Sequence, residues 1–152
     1  MTAHDVFLAH ACTAFFLTGL IWVVQIVQYP FFAHIASENF ARFHEDYRFW
    51  ITPVVAPAMI AELASGIFLI FYPPFGLDPR FFWLGLFLIA VVWASTFFVQ
   101  VPLHERLARR GRDRDAIRLL VKTNWLRTAA WTARAALMIY LLRGFVADGG
   151  SL

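Results

Sequence analysis

The chain has 152 residues, of which 61% are hydrophobic, 18% aromatic and 15% charged, and its formal net charge at pH 7 is +3. A soluble domain is about 45–50% apolar and about 25% charged, so a soluble globular enzyme is excluded, and the aromatic content excludes a disordered chain. The single cysteine, Cys12, excludes a disulfide scaffold. The composition predicts an all-α integral membrane protein with a single membrane domain over residues 1–152.

Four apolar stretches predict a bundle of four transmembrane helices, because roughly 20 apolar residues cross about 30 Å of hydrocarbon. The predicted spans are residues 6–29, 51–72, 81–103 and 119–142. No Lys or Arg precedes the first stretch and no small-residue cleavage site follows it, so we expect it to remain as a span. The fourth stretch contains Lys122, Arg127 and Arg134, but from 129 to 142 only Arg134 is charged.

The segment between the first two spans is amphipathic. Within residues 37–50, Phe40, Phe43, Tyr47 and Trp50 recur at helical spacing. This pattern predicts a separate amphipathic helix that lies on the cytoplasmic membrane surface or folds over the bundle.

The distribution of Lys and Arg predicts the orientation in the membrane. On one side, six lie between the third and fourth spans, and Arg42 and Arg48 lie between the first two; the other side has only Arg80 and Arg143. The six are Arg106, Arg109, Arg110, Arg112, Arg114 and Arg118. We therefore expect residues 30–50 and 104–118 to be cytoplasmic and both termini to be non-cytoplasmic, in the inner (cytoplasmic) membrane. The arginine run has no interleaved aromatics, so no nucleic-acid partner is expected. Asp113 or Asp115 is predicted to cap the fourth helix.

Polar side chains within the spans fall on one face of each helix, where polar groups are costly and their positions informative. The four stripes are Thr18, Trp22, Gln25 and Tyr29; Thr52, Val55, Met59, Glu62 and Gly66; Trp93, Thr96, Gln100 and His104; and Asn124, Arg127, Trp131, Arg134 and Met138. Their convergence predicts a bundle with a polar or ligand-holding interior. Glu62 and Arg134 lie near the middle of their spans, which predicts an ion pair; a pair that only locks the bundle, or an unpaired Glu62, is the alternative.

A second polar cluster is predicted at the cytoplasmic end of the bundle. His104 or His44 would act as a base, because imidazole titrates near neutrality, and Arg127 with Asn124 would stabilise a phenolate or enolate. Glu62 would tune Arg134 or relay a proton. The predicted ligand-binding residues are Gln25, Tyr29, Trp93, Gln100, Trp131 and Arg134.

The cofactor is left open by the sequence: none, a metal or haem. His44, Glu62 and His104 are acceptable metal ligands. However, neither an HExxH motif nor the paired Glu-x-x-His motif of di-iron bundles is present. A haem would need an axial histidine deep in a span, and His10 is the deepest; a lone histidine there is more often an interface residue.

The segments VPLHERLARR and TNWLRTAAWTARAAL resemble the anthrone-oxygenase-like family of small four-span membrane proteins, mainly over residues 100–137. The matching positions are Pro102, His104, Leu107, Asn124, Trp125 and Arg127, and His104 stands where the family often has Asn. The resemblance implies a small-molecule membrane oxidoreductase. Characterised relatives are linked to the oxygenation of anthrones to anthraquinones without an obvious cofactor.

The leading hypothesis is a membrane oxidoreductase or oxygenase that binds a flat hydrophobic phenol- or quinone-like molecule near the cytoplasmic end of the bundle. One alternative is a non-catalytic accessory or assembly subunit of a larger membrane complex. Another is a proton or small-solute transport module that uses Glu62. The expected partners are the lipid bilayer and a hydrophobic small molecule, with a homo-oligomer or a larger complex left open.

Overall fold

The computed structural model of the chain describes residues 2–74 and 76–147, and nearly all of them are helical. The four helices are α1 (Ala3–His34), α2 (Ser37–Phe71), α3 (Pro79–Arg110) and α4 (Arg114–Ala147). No strand occurs within these described ranges, so the predicted all-α class is confirmed.

Three of the helices, α1, α2 and α3, are long and apolar enough to cross a membrane, which confirms a membrane protein. They have 32, 35 and 32 residues. At about 1.5 Å per residue each is about 50 Å long, well beyond a hydrocarbon core of about 30 Å. Each predicted span is therefore only part of a longer helix.

The helices form a ring in which α1 packs against α2 and α4, and α3 packs against α2 and α4. Short connections at residues 35–36, 72–78 and 111–113 make consecutive helices antiparallel. The connections at 35–36 and 111–113 lie at the same end of the bundle, which we call the arginine-rich end. One buried apolar cluster lies toward this end, around Phe32 and Phe40, and a second lies toward the other end, around Phe7 and Phe82.

The amphipathic segment 37–50 is helical, but the prediction of a separate helix is wrong: the segment is continuous with the rest of α2. Its apolar face packs against protein at Phe40, Phe43 and Tyr47, whereas Trp50 is exposed. Phe40 is fully buried and packs edge-on against Phe32 of α1, and His44 stacks on His104 of α3. Because α1 and α3 extend past the predicted spans, they provide side chains against which residues 37–50 pack.

Two helices contain a π-helical turn that ends two residues before a proline. The turns are Val24–Gln28 in α1 and Thr96–Gln100 in α3, and the prolines are Pro30 and Pro102. Proline has no N–H, and its ring crowds the carbonyl group four residues earlier. A widened turn relieves this crowding inside a continuous helix, and such turns frequently occur at functional sites.

The predicted cap of the fourth helix is confirmed at Asp113. Its Oδ1 atom accepts hydrogen bonds from the backbone N–H groups of Asp115 and Ala116, each at 3.0 Å. Its Oδ2 atom lies 2.7 Å from Nη2 of Arg106 on α3. The hydrogen bond from the Ala116 N–H, followed by that from Arg106, holds the pKa of the Asp113 carboxyl below its usual range.

Asp113 should therefore make the stability of the protein depend on pH. Its pKa is lower in the folded than in the unfolded chain, so its stabilising effect is complete near neutrality and is lost as the pH falls below about 4. Asp113→Asn keeps the capping oxygen but does not titrate. Between about pH 5 and about pH 3, we therefore expect the melting temperature of this variant to fall less steeply than that of the wild type. The exposed control Asp46→Asn should follow the wild type; equal slopes for the Asp113 and Asp46 variants would contradict this role.

Gly66 lies where α2 approaches α1 and α3. A Cβ atom on Gly66 would be 2.9 Å from Cδ1 of Ile89 and 3.3 Å from Cε1 of His10. Ile89 is fully buried and cannot easily move aside. By contrast, a Cβ atom on Gly19 of α1 would meet no atom within 4 Å.

We expect Gly66→Ala to lower the free energy of unfolding by about 1–3 kcal/mol, because the added methyl overpacks the interior. Gly19→Ala is the matched control and should raise it by up to about 1 kcal/mol through helix propensity and reduced freedom of the unfolded chain. Denaturant titration in mixed micelles measures both. A Gly66 variant as stable as the Gly19 variant would show that this close approach does not restrict the packing.

Candidate functional site

The predicted ion pair between Glu62 and Arg134 is confirmed. Nε of Arg134 lies 2.8 Å from Oε1 of Glu62, and both side chains are buried, with exposed fractions of 0% and 1%. The two residues come from α2 and α4, which run in the same direction. Each of these buried charges is therefore neutralised by the other rather than by water.

The other guanidinium nitrogens of Arg134 are also paired. Nη1 donates to the carbonyl oxygen of Gly85 at 2.6 Å, and Nη2 lies 2.9 Å from Nε2 of His10. Because a guanidinium group only donates, Nε2 of His10 must accept, and the ring proton is on Nδ1. Nδ1 then donates to Oγ of Ser65 at 2.7 Å, and the Ser65 hydroxyl donates to the carbonyl of Ala61 at 2.6 Å.

The second carboxylate oxygen of Glu62 accepts a hydrogen bond from Nε1 of Trp131 at 3.1 Å. Both oxygens of Glu62 are thus engaged. The resulting network, which we call the central network, joins His10 on α1, Glu62 on α2, Gly85 on α3 and Arg134 on α4. Arg134 was predicted to bind ligand, but each of its three guanidinium nitrogens has a partner within this network.

A cavity of about 350 Å³ lies between the central network and the arginine-rich end. Most of its wall is apolar, with side chains from all four helices. Six predicted site residues line it together: Tyr29, Trp93, Gln100, His104, Arg127 and Trp131. An apolar cavity with a few convergent polar groups is the usual form of a small-molecule site.

Arg127 is the buried cation at this cavity. Its exposed fraction is 6%, Nη1 donates to Oδ1 of Asn124 at 3.2 Å, and its guanidinium carbon lies 5.2 Å from the ring centroid of Trp131. Among the described residues, none of the ion pairs involves Arg127. A buried charge is costly without a partner, so this guanidinium is suited to an anionic or strongly polar ligand atom.

Gln25 and Asn124 were predicted as site residues, but they do not line the cavity. Oε1 of Gln25 accepts from Nδ2 of Asn124 at 2.8 Å, and Nε2 of Gln25 donates to the carbonyl of Val121 at 3.1 Å. These bonds connect α1 to α4 and leave the Asn124 carbonyl oxygen facing Arg127. Both side chains therefore orient the cation rather than contact a ligand.

Three buried polar atoms in residues that line the cavity have no hydrogen-bond partner: Nε of Arg127, Nε1 of Trp93 and Oε1 of Gln100. Gln100 uses only its amide nitrogen, which donates to Oγ1 of Thr123 at 3.1 Å. Buried polar groups are almost always paired, so unpaired groups at one cavity indicate the position of a ligand or of ordered water. They offer two donors and one acceptor.

A chain of three side chains leads away from the cavity. The hydroxyl of Tyr29 lies 3.1 Å from Nε2 of His104, and Nδ1 of His104 lies 3.0 Å from Nε2 of His44. His104 lines the cavity, whereas His44 is fully buried behind it, and its Nδ1 atom has no partner. Each of these groups can both donate and accept, so a proton received at His104 can be passed to His44.

The three metal-ligand candidates do not form one cluster. His44 and His104 are in contact, but Glu62 belongs to the central network. Over the ranges that the structure describes, no group of three or more His, Cys, Asp or Glu side chains is placed to hold a metal ion. His10, the candidate haem ligand, has both ring nitrogens engaged by Ser65 and Arg134.

The role of His10 and its partners Ser65 and Gly85 was not predicted from the sequence. One sequence signal points to the geometry. Residues 27–30 read V-Q-Y-P and residues 99–102 read V-Q-V-P, which follow the same offset as Glu62 and Arg134, 72 residues apart. Equivalent positions in two similar helical hairpins are expected at similar depth, which agrees with the pairing of Glu62 and Arg134 but gives no signal for His10.

Comparison with protein-family models, curated proteins and solved structures gave no match to this chain. The candidate site is therefore defined by its own geometry.

Removal of one member of the central ion pair should destabilise the protein more than removal of both. Glu62→Leu leaves Arg134 charged and buried, and we expect it to lower the free energy of unfolding by about 3–5 kcal/mol. The double variant Glu62→Leu with Arg134→Leu should lose less than Glu62→Leu alone, because no unpaired charge remains. The control Glu105→Leu removes an exposed ion pair and should cost at most about 1 kcal/mol. Denaturant titration measures all three; additive losses would contradict the coupling.

Proposed function

We propose that all four helices cross the inner membrane, with the arginine-rich end in the cytoplasm and both termini on the other side. The support for α4 is its exposed face, which carries apolar side chains that suit contact with lipid: Leu119, Trp125, Leu126, Ile139 and Tyr140. Its two central arginines, Arg127 and Arg134, point inward and are buried. The excess of arginine at one end supports the orientation.

We further propose that the protein binds a flat hydrophobic phenol- or quinone-like molecule in the cavity and oxidises it. The observation that carries this proposal is Arg127, a buried guanidinium without a carboxylate partner at the wall of an apolar cavity. Such a group favours a ligand oxygen that bears negative charge, as a phenolate does. The aromatic walls supplied by Trp93 and Trp131 suit a flat ring.

The unpaired atoms around the cavity match the same ligand class. Nε of Arg127 and Nε1 of Trp93 can donate to ring oxygens, and Oε1 of Gln100 can accept from a hydroxyl group. In contrast, the Glu62 carboxylate is engaged by Arg134 and Trp131 and does not line the cavity. This arrangement favours ligand binding over proton or solute transport through Glu62.

The chemistry begins with loss of a proton from the bound phenol or enol. The Tyr29 hydroxyl, which lines the cavity, takes up this proton as it passes its own to Nε2 of His104, and Nδ1 of His104 passes a proton on to His44. Arg127 stabilises the oxyanion that remains. The electron-rich ring then reacts with dioxygen, which dissolves in the bilayer. One oxygen atom becomes a ring carbonyl, and the second leaves as water with two hydrogens, one from the hydroxyl group and one from the reacting ring carbon. The resemblance of residues 100–137 to the anthrone-oxygenase-like family supports this type of reaction.

The proposal is tested with 4-nitro-1-naphthol, a flat phenol whose anion absorbs at longer wavelength, added to protein in phosphatidylcholine vesicles. We expect the bound probe to ionise at a lower pH than the free probe, because Arg127 stabilises the anion. Arg127→Gln should weaken binding by about tenfold or more, equivalent to about 1.4 kcal/mol. The matched control Arg110→Gln alters an exposed arginine and should bind like the wild type.

Turnover is measured in the same vesicles as consumption of dioxygen with anthrone as substrate. His104→Ala should lower the rate about a hundredfold or more, because it removes the base. If His104→Ala and Arg127→Gln both left turnover unchanged, the catalytic assignment would be wrong. If Arg127→Gln bound the naphthol as tightly as Arg110→Gln, the binding assignment would be wrong as well.

A further inference from the structure

The wall of the cavity is closed on one side and open on the other. The lining side chains of α4, and those of α1 apart from the half-buried Leu20, are buried, as in Leu17, Ile21 and Trp131, with exposed fractions of 1%, 3% and 1%. The lining side chains of α2 and α3 include exposed ones, such as Ile60 at 58% and Phe97 at 55%. The cavity therefore opens between α2 and α3, on the outer surface of the bundle.

Protein covers both ends of the cavity except near Arg48, an exposed lining residue toward the arginine-rich end. Toward the arginine-rich end, His104 is backed by Phe32 and Phe40, whose exposed fractions are 1% and 0%. Toward the central network, Met59 and Trp131 are buried. A molecule from water would have to displace this packed layer, whereas the gap between α2 and α3 is already lined by exposed side chains.

The opening faces the part of the bundle that we assign to the hydrocarbon of the bilayer. Thr52, Ala56 and Ile60 form one lip on successive turns of α2, and Phe97 and Val101 form the other lip on α3. These positions fall within the predicted spans 51–72 and 81–103.

The exposed side chain of Arg48 lies one turn beyond Thr52, toward the arginine-rich end. A shallow groove on the outside of α2 shares Arg48, Thr52 and Ala56 with the cavity and so extends the opening along the helix.

We infer that the ligand reaches the cavity sideways from the bilayer, through the opening between α2 and α3, with its polar oxygen directed toward Arg127. This inference rests on the proposed function for the identity of the ligand and deepens it, since it restricts the substrate to molecules dissolved in the membrane. A hydrophobic phenol partitions into the bilayer, so a lateral opening supplies it at high local concentration. Arg127, at the opposite wall, then binds its oxygen.

A first experiment needs no ligand. Trp93 lines the cavity and is half-buried, so acyl chains that enter the opening should quench its fluorescence. In vesicles of phosphatidylcholine with brominated acyl chains, Trp93→Phe should remove a measurable share of the tryptophan quenching seen in the wild type. Ala56→Phe, which narrows the opening, should protect Trp93, and the matched control Ala64→Phe on the exposed surface of α2 should not. Equal quenching of wild type and Trp93→Phe would overturn lateral access.

A second experiment separates access from affinity, with 4-nitro-1-naphthol as the probe in phosphatidylcholine vesicles and stopped-flow absorbance as the readout. Ala56→Phe should slow both association and dissociation by about tenfold while its Kd stays within about threefold of the wild type. Ala64→Phe should leave both rates unchanged. Equal rates in the two variants, or faster dissociation with unchanged association in Ala56→Phe, would overturn the inference.

The two experiments also separate this inference from the proposed function. Failure of the wild type to bind the naphthol would contradict the proposed function, while the quenching measurement would still decide whether the cavity opens to the bilayer. Binding with equal rates in the two alanine variants would leave the proposed function intact and overturn lateral access.

Discussion

A charged side chain inside an apolar bundle must be neutralised by the protein, and the Glu62–Arg134 pair is where this constraint acts most strongly. The guanidinium has three donating nitrogens, and each finds an acceptor on a different helix: His10 on α1, Glu62 on α2 and Gly85 on α3. Loss of any of these contacts leaves a buried donor without a partner. The pair thus fixes the relative depth of all four helices, and the cavity is positioned by this arrangement.

The contrast between Arg134 and Arg127 connects the central network to the site. Both arginines lie on the inner face of α4, two turns apart, but Arg134 is fully paired and Arg127 is not. Trp131 lies between them in the chain: its N–H donates to Glu62, and its ring lies against Arg127. The indole of Trp131 therefore contacts both the ion pair and Arg127, and it couples their positions. From the other side, Asn124 holds Arg127 in place.

The two hairpins of the bundle are built alike. In each hairpin, the first helix contains a V-Q-x-P segment with a π-helical turn, and the second helix carries a buried charge at the same spacing from that segment. The charges are opposite, Glu62 in one hairpin and Arg134 in the other, so their meeting is favourable. The π turns also shape the site, since Val24, Thr96 and Gln100 from these turns line the cavity.

Local patterns in the sequence determined the helices, the membrane class and the inward-facing stripes, because hydrophobic periodicity depends only on neighbouring residues. Those stripes correctly brought Tyr29, Trp93, Gln100, His104, Arg127 and Trp131 to one interior region. Their depth within the spans also predicted the Glu62–Arg134 pair.

Only the tertiary structure shows which residues of each stripe line the cavity and which bond to a neighbouring helix. Gln25 has both ends of its side-chain amide bonded to α4, whereas Gln100 uses only its amide nitrogen and lines the cavity, a difference that depends on which atoms of the neighbouring helix lie within reach. His10 resembled an isolated interface histidine because its partner, Arg134, is 124 residues away in the sequence. The helical segment 37–50 joined α2 because α1 and α3 extend far enough to cover it, and the length of those helices beyond the membrane is not encoded in the segment itself.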